Sequence, residues 1–196
     1  ALDSRGDPLT GVITWADGRA VEQTKSLKGL PLASRLYEET GCPVHIAHVS
    51  TAGSVERIRR AKQEGIRVTA ETAPHYFSLD HRAVEEYNTS AKMNPPLREP
   101  GDVEAIKKGL AEGVIDVIAT DHAPHAQEEK NVAFEKAPFG IVGLETAVPL
   151  TLRLISEGVL TWPEAIRKLS YAPATLLGVA GGVLTEGAVA DLAVLD

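Results

Sequence analysis

"IAHVSTAGSVERIRRA", residues 46–61, carries an apolar run that stops at His48, turns through Ser-Thr-Ala-Gly, and resumes with apolar positions at Val55, Ile58 and Ala61. That second spacing is one face of a helix. A buried strand over 43–49 feeding a helix over 54–65, with Gly65 as its stop, is one βα unit. "IRVTAET" (66–72) follows as a second strand. "PGDVEAIKKGLAEG" (100–113) reads as a helix with Asp102 at its N-cap and Gly113 past its end. "VIDVIATD" (114–121) is a third strand, nearly all apolar until its last residues. Strands separated by helices predict an α/β fold with a parallel sheet buried on both faces.

Further along, "GLETAVPLTLRLISEG" (143–158) is a helix with Pro149 as a possible kink, and "WPEAIRKLSYAPATLLG" (162–178) reads as two short helices. The tail "GGVLTEGAVADLAVLD" (181–196) changes to glycines and a short β-prone run, the pattern of a separate β element. Residues 29–40 have the composition of a helix leading into the first strand. Residues 1–27 are rich in Gly and Asp and show no firm period.

Bulk composition narrows the class. The chain has 196 residues, 43% hydrophobic and 24% charged, an ordinary globular balance. Its net charge of −7 argues against a nucleic-acid surface, which needs a clustered basic face. No apolar run reaches the length of a bilayer span, so no membrane partner is expected. The stretch "ALDSRGDPLTG" lacks a basic-then-apolar export pattern, and Cys42 is the single cysteine. A reducing, cytoplasmic setting is the expectation.

Two residues stand where parallel α/β folds place ligands, at the C-terminal ends of strands. His48 is either a core histidine satisfied by a hydrogen bond or a ligand facing a site. Alternation along a strand sends His45, three residues away, to the opposite face, so His45 is read as structural. Asp121 ends a buried strand and needs a cation or donors, or else serves as a helix cap. A carboxylate and an imidazole at two strand ends make a fair zinc pair. The two are expected on neighbouring strands, converging on one cavity. His122 and His125 are then outer residues or substrate contacts.

Three other segments are polar enough to matter. "KMNPPLREP" (92–100) is a proline-stiffened loop presenting Asn94 and Arg98, or an ordinary connection. "APFGIVG" (137–143) is a turn before a helix whose backbone N–H groups could meet an anion. His75 ranks below His48, because Pro74 and the aromatics beside it suggest packing. His81 reads as an exposed loop residue, and "RIRRAK" as the wet face of its helix.

Taken together and in order, "HIAHVSTAGSVERIRRAK", "KMNPPLR", "DVIATDHAPH" and "APFGIVGLETAVPL" closely resemble bacterial class I dihydroorotase of the amidohydrolase superfamily. The resemblance covers about residues 28–196. It implies a TIM-type (β/α)8 metal-dependent hydrolase barrel, with residues 28–180 as the C-terminal half and 181–196 as part of a small composite β-domain. Residues 1–27 match poorly. The implied reaction is reversible cyclisation of N-carbamoyl-L-aspartate to L-dihydroorotate in pyrimidine biosynthesis, with one or two Zn2+ ions. By the same resemblance His48 and Asp121 are metal ligands, and Asp121 is also the catalytic acid/base. Asn94, His125, Phe139 and Gly140 match substrate-binding positions. The family's His-x-His pair is absent, which makes the chain look like the C-terminal part of such an enzyme. A homo-oligomer is expected, with aspartate carbamoyltransferase as a possible partner. The competing readings are a non-catalytic subunit scaffolding that transcarbamoylase, and a hydantoinase- or allantoinase-like cyclic amidohydrolase.

Overall fold

A computed structural model describes residues 41–195; the helix expected over 29–40 and the segment 1–27 lie outside the described residues. Three parallel strands form one sheet in the order β1 (Val44–Ile46), β2 (Val68–Thr72), β3 (Val117–Ile118). Val44 pairs with Val68 and Ile46 with Ala70, while Glu71 pairs with Val117 and Thr72 with Ile118. The strands are shorter than the apolar runs suggest. Val49 and Ala119 continue the ladder beyond the strand ends, donating to Glu71 O and Thr72 O at 2.9 Å each.

Helix α1 (Ala52–Gln63) starts where Thr51 accepts the Ser54 N–H at 3.1 Å. Its buried residues are the three that set the sequence period, Val55, Ile58 and Ala61. Short α2 (Pro74–Ser78) follows β2 directly, with Pro74 in its first turn. Helix α3 (Pro100–Ala111) begins three residues earlier than an Asp102 cap would require. Glu99 occupies the N-cap, and Asp102 instead accepts the Ala52 N–H at 2.7 Å, tying the starts of α1 and α3 together. A short α4 (Gln127–Lys130) precedes α5 (Leu144–Ser156), which continues through Pro149. The segment expected as two helices is three pieces: α6 (Trp162–Ile166), a π-type turn over Arg167–Tyr171, and α7 (Ala172–Leu177) ending on left-handed Gly178.

One face of the sheet is packed. Val68, Ala70 and Ile118 meet Val55, Ile58, Ile106, Leu110, Leu154 and Ala165 from the helices in a single cluster. The other face carries His45, Thr69 and Glu71, all half-buried, beside buried Val117, so among the described residues this face is covered at β3 and only partly covered at β1 and β2. At the N-terminal edge Asp116 accepts Lys62 Nζ at 2.7 Å and the Ala70 N–H at 2.8 Å, pinning β2 to the start of β3. Buried Lys168 donates to Ile115 O at 2.6 Å.

The tail behaves differently from its sequence pattern. Residues 181–195 form no strand, and Leu184 and Val194 are 85% and 91% exposed. A β-prone run becomes a strand only when it pairs with an edge, and this one pairs with none among the described residues. Also among the described residues, no helix is long and apolar enough to cross a membrane.

Candidate active site

Parallel strands deliver their C-terminal ends to one side of the sheet, and the segments leaving β1, β2 and β3 there carry His48, His75 and Asp121. His48 and Asp121 share an uncommon backbone: φ is +55° at one and +46° at the other, the left-handed region that non-glycine residues seldom occupy. Such conformations persist where surrounding structure enforces them, and they cluster at functional sites.

The turn at His48 cancels the strand alternation. His45 Nε2 lies 3.2 Å from Glu71 Oε2, and His48 Nδ1 lies 3.4 Å from Glu71 Oε1, so both rings meet one carboxylate instead of facing apart. The strand ends at Ile46, and the positive φ of His48 swings its ring back to the β2 side. His45 also bonds Thr69 Oγ1 at 2.8 Å. The hydrogen bond from His45 holds the Glu71 carboxyl below the usual carboxylate range against the opposing effect of burial, with both histidine charges adding to it.

A second cluster adjoins this one. His75 Nε2 stands 3.9 Å from Asp121 Oδ2, and His75 is 4% exposed. Burial first, then the nearby His48 charge, push His75 down to about 4, so its ring is neutral near pH 7. Burial pushes the Asp121 carboxyl up, the His48 charge opposes this, and Glu71 reinforces it. His48 and Asp121 therefore share one electrostatic neighbourhood. Their strands are not neighbours, however: β2 lies between β1 and β3 and supplies Glu71 and the lead into His75. Next to this group, Tyr76 donates its hydroxyl to Pro95 O at 2.9 Å, and Arg98 Nε reaches Ser50 Oγ at 3.4 Å.

Three loops close the rim on the far side. His122 pairs in a parallel bridge with Ile141, and Ala123 donates to Ile141 O at 3.0 Å. His122 Nδ1 accepts the N–H groups of Gly143 and Leu144 at 2.9 and 3.1 Å. Gly143, the N-cap of α5, has no side chain to do this, so an imidazole from another loop caps the helix. Of the amides that the 137–143 segment offers to an anion, that of Gly143 is thus already used. His125 Nε2 donates to Phe139 O at 3.0 Å, because a carbonyl oxygen can only accept, and its Nδ1 faces Glu129 at 3.5 Å. Gly140 donates to Lys92 O at 2.9 Å, two residues before Asn94.

Glu71 and His75 carried the weakest sequence signals of the cluster. Glu71 was readable as an acid on the face of "VTAET" opposite Val68 and Ala70. His75 was masked by its apolar neighbours. Among the described residues, no group of three or more His, Cys, Asp or Glu side chains is gathered closely enough to hold a metal ion. Among the described residues, two buried ring nitrogens, His48 Nδ1 and His75 Nε2, have no hydrogen-bond partner. Unsatisfied imidazole nitrogens beside carboxylates are the donor chemistry of a zinc site, and His48 with Asp121 fits a share of one.

An amidohydrolase family model matches residues 11–196. The chain belongs to the amidohydrolase family. It is 54% identical over 179 residues to a dihydroorotase of Pelobacter propionicus and 56% identical over 180 residues to one of Pelotomaculum thermopropionicum. Each match covers 87% of this chain but 42% of the relative, so the chain spans less than half the length of those proteins. Among solved structures it resembles a dihydropyrimidinase from Brevibacillus agri, with a TM-score of 0.75 and 25% identity. An L-hydantoinase from Arthrobacter aurescens gives 0.74 and 31%, and both likenesses cover 80% of this chain and 36% of the other.

Proposed function

We propose that this amidohydrolase is a dihydroorotase, and that β1, β2 and β3 are consecutive strands of a (β/α)8 barrel whose site-bearing face is the half-open one. Residues 28–180 would form the C-terminal half of that barrel, with 181–196 entering a small β-domain. The observation that carries the reading is identity of 54–56% to two dihydroorotases over 87% of this chain. The dihydropyrimidinase and hydantoinase likenesses favour a second reading, a cyclic amidohydrolase of that substrate class, at markedly lower identity.

His48 and Asp121 would hold zinc together with ligands from elsewhere in the protein. When bound, zinc supplies a Lewis acid for the substrate's amide carbonyl and makes water a better nucleophile. The remaining chemistry belongs to the chain. In hydrolysis, Asp121 takes a proton from the attacking water and passes it to the ring nitrogen as the C–N bond breaks. In cyclisation it removes a proton from the carbamoyl nitrogen as that bond forms, and returns it to the carboxyl oxygen that leaves as water when its C–O bond breaks. A carboxyl raised by burial suits this two-way transfer, because it is neither a strong acid nor a weak base. Glu71, kept ionised by His45, holds His48 in place.

Asn94 and His125 would take the substrate carboxylate. The backbone at Phe139 and Gly140 would fix the ring. Steady-state kinetics on the complete gene product carrying these residues separate the roles. Asp121→Ala should cut kcat by about 10²–10⁴ while substrate binding stays measurable by calorimetry. Asn94→Ala should raise KM roughly 10–100-fold with kcat little changed. An Asp121→Ala enzyme that keeps most of its turnover contradicts the acid/base assignment.

A further inference from the structure

We propose that Lys92 and Lys130 are positioning residues that lock the loop carrying Phe139 and Gly140 onto the loop carrying Asn94, so that substrate meets one preformed surface. This rests on the dihydroorotase reading only in its last clause. Lys92 is 8% exposed, an unusual place for an ammonium group. Burial of that charge is tolerable only if its three N–H donors find acceptors. They do: Nζ donates to Phe134 O at 2.6 Å, Glu135 O at 3.2 Å and Ala137 O at 2.6 Å. The same ammonium lies 5.2 Å from the Phe134 ring centre and 4.7 Å from that of Phe139, within cation–π range of both.

Lys130 repeats the arrangement from the opposite direction. Its Nζ donates to Thr89 O at 3.1 Å, Pro138 O at 2.9 Å and Gly140 O at 2.8 Å, bridging the two loops through a single atom. Thr89 returns a bond to Lys130 O at 2.6 Å, and Gly140 N–H closes the circuit on Lys92 O at 2.9 Å. Carbonyls of five residues in 134–140 are thus drawn onto two cations. None of them can turn outward without stranding a buried charge. Backbone carbonyls have no side-chain identity, so the lock fixes shape independently of which residues fill the loop. A preformed loop spares substrate the ordering cost of closing it, which appears as lower KM rather than faster chemistry.

Lys92→Met and Lys130→Met in the complete gene product test this, with Ile58→Val, a buried change on α1, as a stability control. Both lysine variants should raise KM for L-dihydroorotate about tenfold or more at nearly unchanged kcat. Hydrogen exchange at the Phe139 and Gly140 amides should quicken by about tenfold or more in both, and in neither respect should Ile58→Val match them. If Lys92→Met does not fold, Lys130→Met, at a less buried position, decides. Unchanged exchange, or faster exchange with an unaltered KM, overturns the proposal. If the unmodified protein does not turn over dihydroorotate at all, the functional reading fails, and the exchange measurement by itself still decides the lock.

Discussion

His75 is almost fully buried, and among the described residues its Nε2 has no hydrogen-bond partner, with the Asp121 carboxylate 3.9 Å away. An unsatisfied buried nitrogen has a cost that core packing alone would not select. Its titration gives that cost a signature. The folded ring protonates only near pH 4, against an ordinary value of 6.5. Between those limits the unfolded chain binds the extra proton, so this contribution to stability is complete above about 6.5 and is lost as pH falls towards 4. Urea unfolding of the complete gene product at pH 7.5 and pH 5 should show a larger loss for the unmodified protein than for His75→Gln. Equal losses would mean that the ring is protonated in the fold.

At the scale of elements, the rim depends on how closely the 137–143 loop approaches the 120–125 loop. Gly140 has φ of +143°, and a Cβ there would sit 2.3 Å from Ala123 O. Backbone cannot yield as a side-chain tip can. Gly140→Ala should therefore cost at least about 1–3 kcal/mol, measured by denaturant unfolding. Gly101→Ala, at an exposed position of α3 where a Cβ meets nothing within 4 Å, should cost nothing. An unaffected Gly140→Ala protein would mean that the two loops do not pack this way in solution.

These elements also show what was legible beforehand. The βα succession was readable, because Val55, Ile58 and Ala61 repeat at helical spacing and the strands are apolar runs. Loop contacts were not. That His122 caps α5, or that Lys92 is buried under Phe134 and Phe139, depends on residues 21 to 47 positions apart meeting in space, which no local period encodes. The facing of His48 was misjudged for a related reason. Strand alternation applies only while the strand lasts, and β1 ends two residues too soon. The β-prone run of the tail shows capacity to pair, and among the described residues it forms no strand.

On the whole-molecule scale, a chain of net charge −7 has to bind an anion if the proposed reaction is right. The overall charge of this chain does not favour an anion, so on the proposed reading affinity comes from local donors, Asn94 and His125, with the metal that His48 and Asp121 would help to hold. The carboxylate is also what separates dihydroorotate from a plain dihydropyrimidine or hydantoin ring. A site built to hydrogen-bond a substrate group rejects analogues lacking it far more strongly than an apolar pocket could. The direct test is the ratio of kcat/KM for L-dihydroorotate to that for 5,6-dihydrouracil and for hydantoin, on the zinc-loaded complete gene product. A ratio of about 100 or more in favour of dihydroorotate is the predicted result; comparable or better turnover of the rings without a carboxylate would contradict the account.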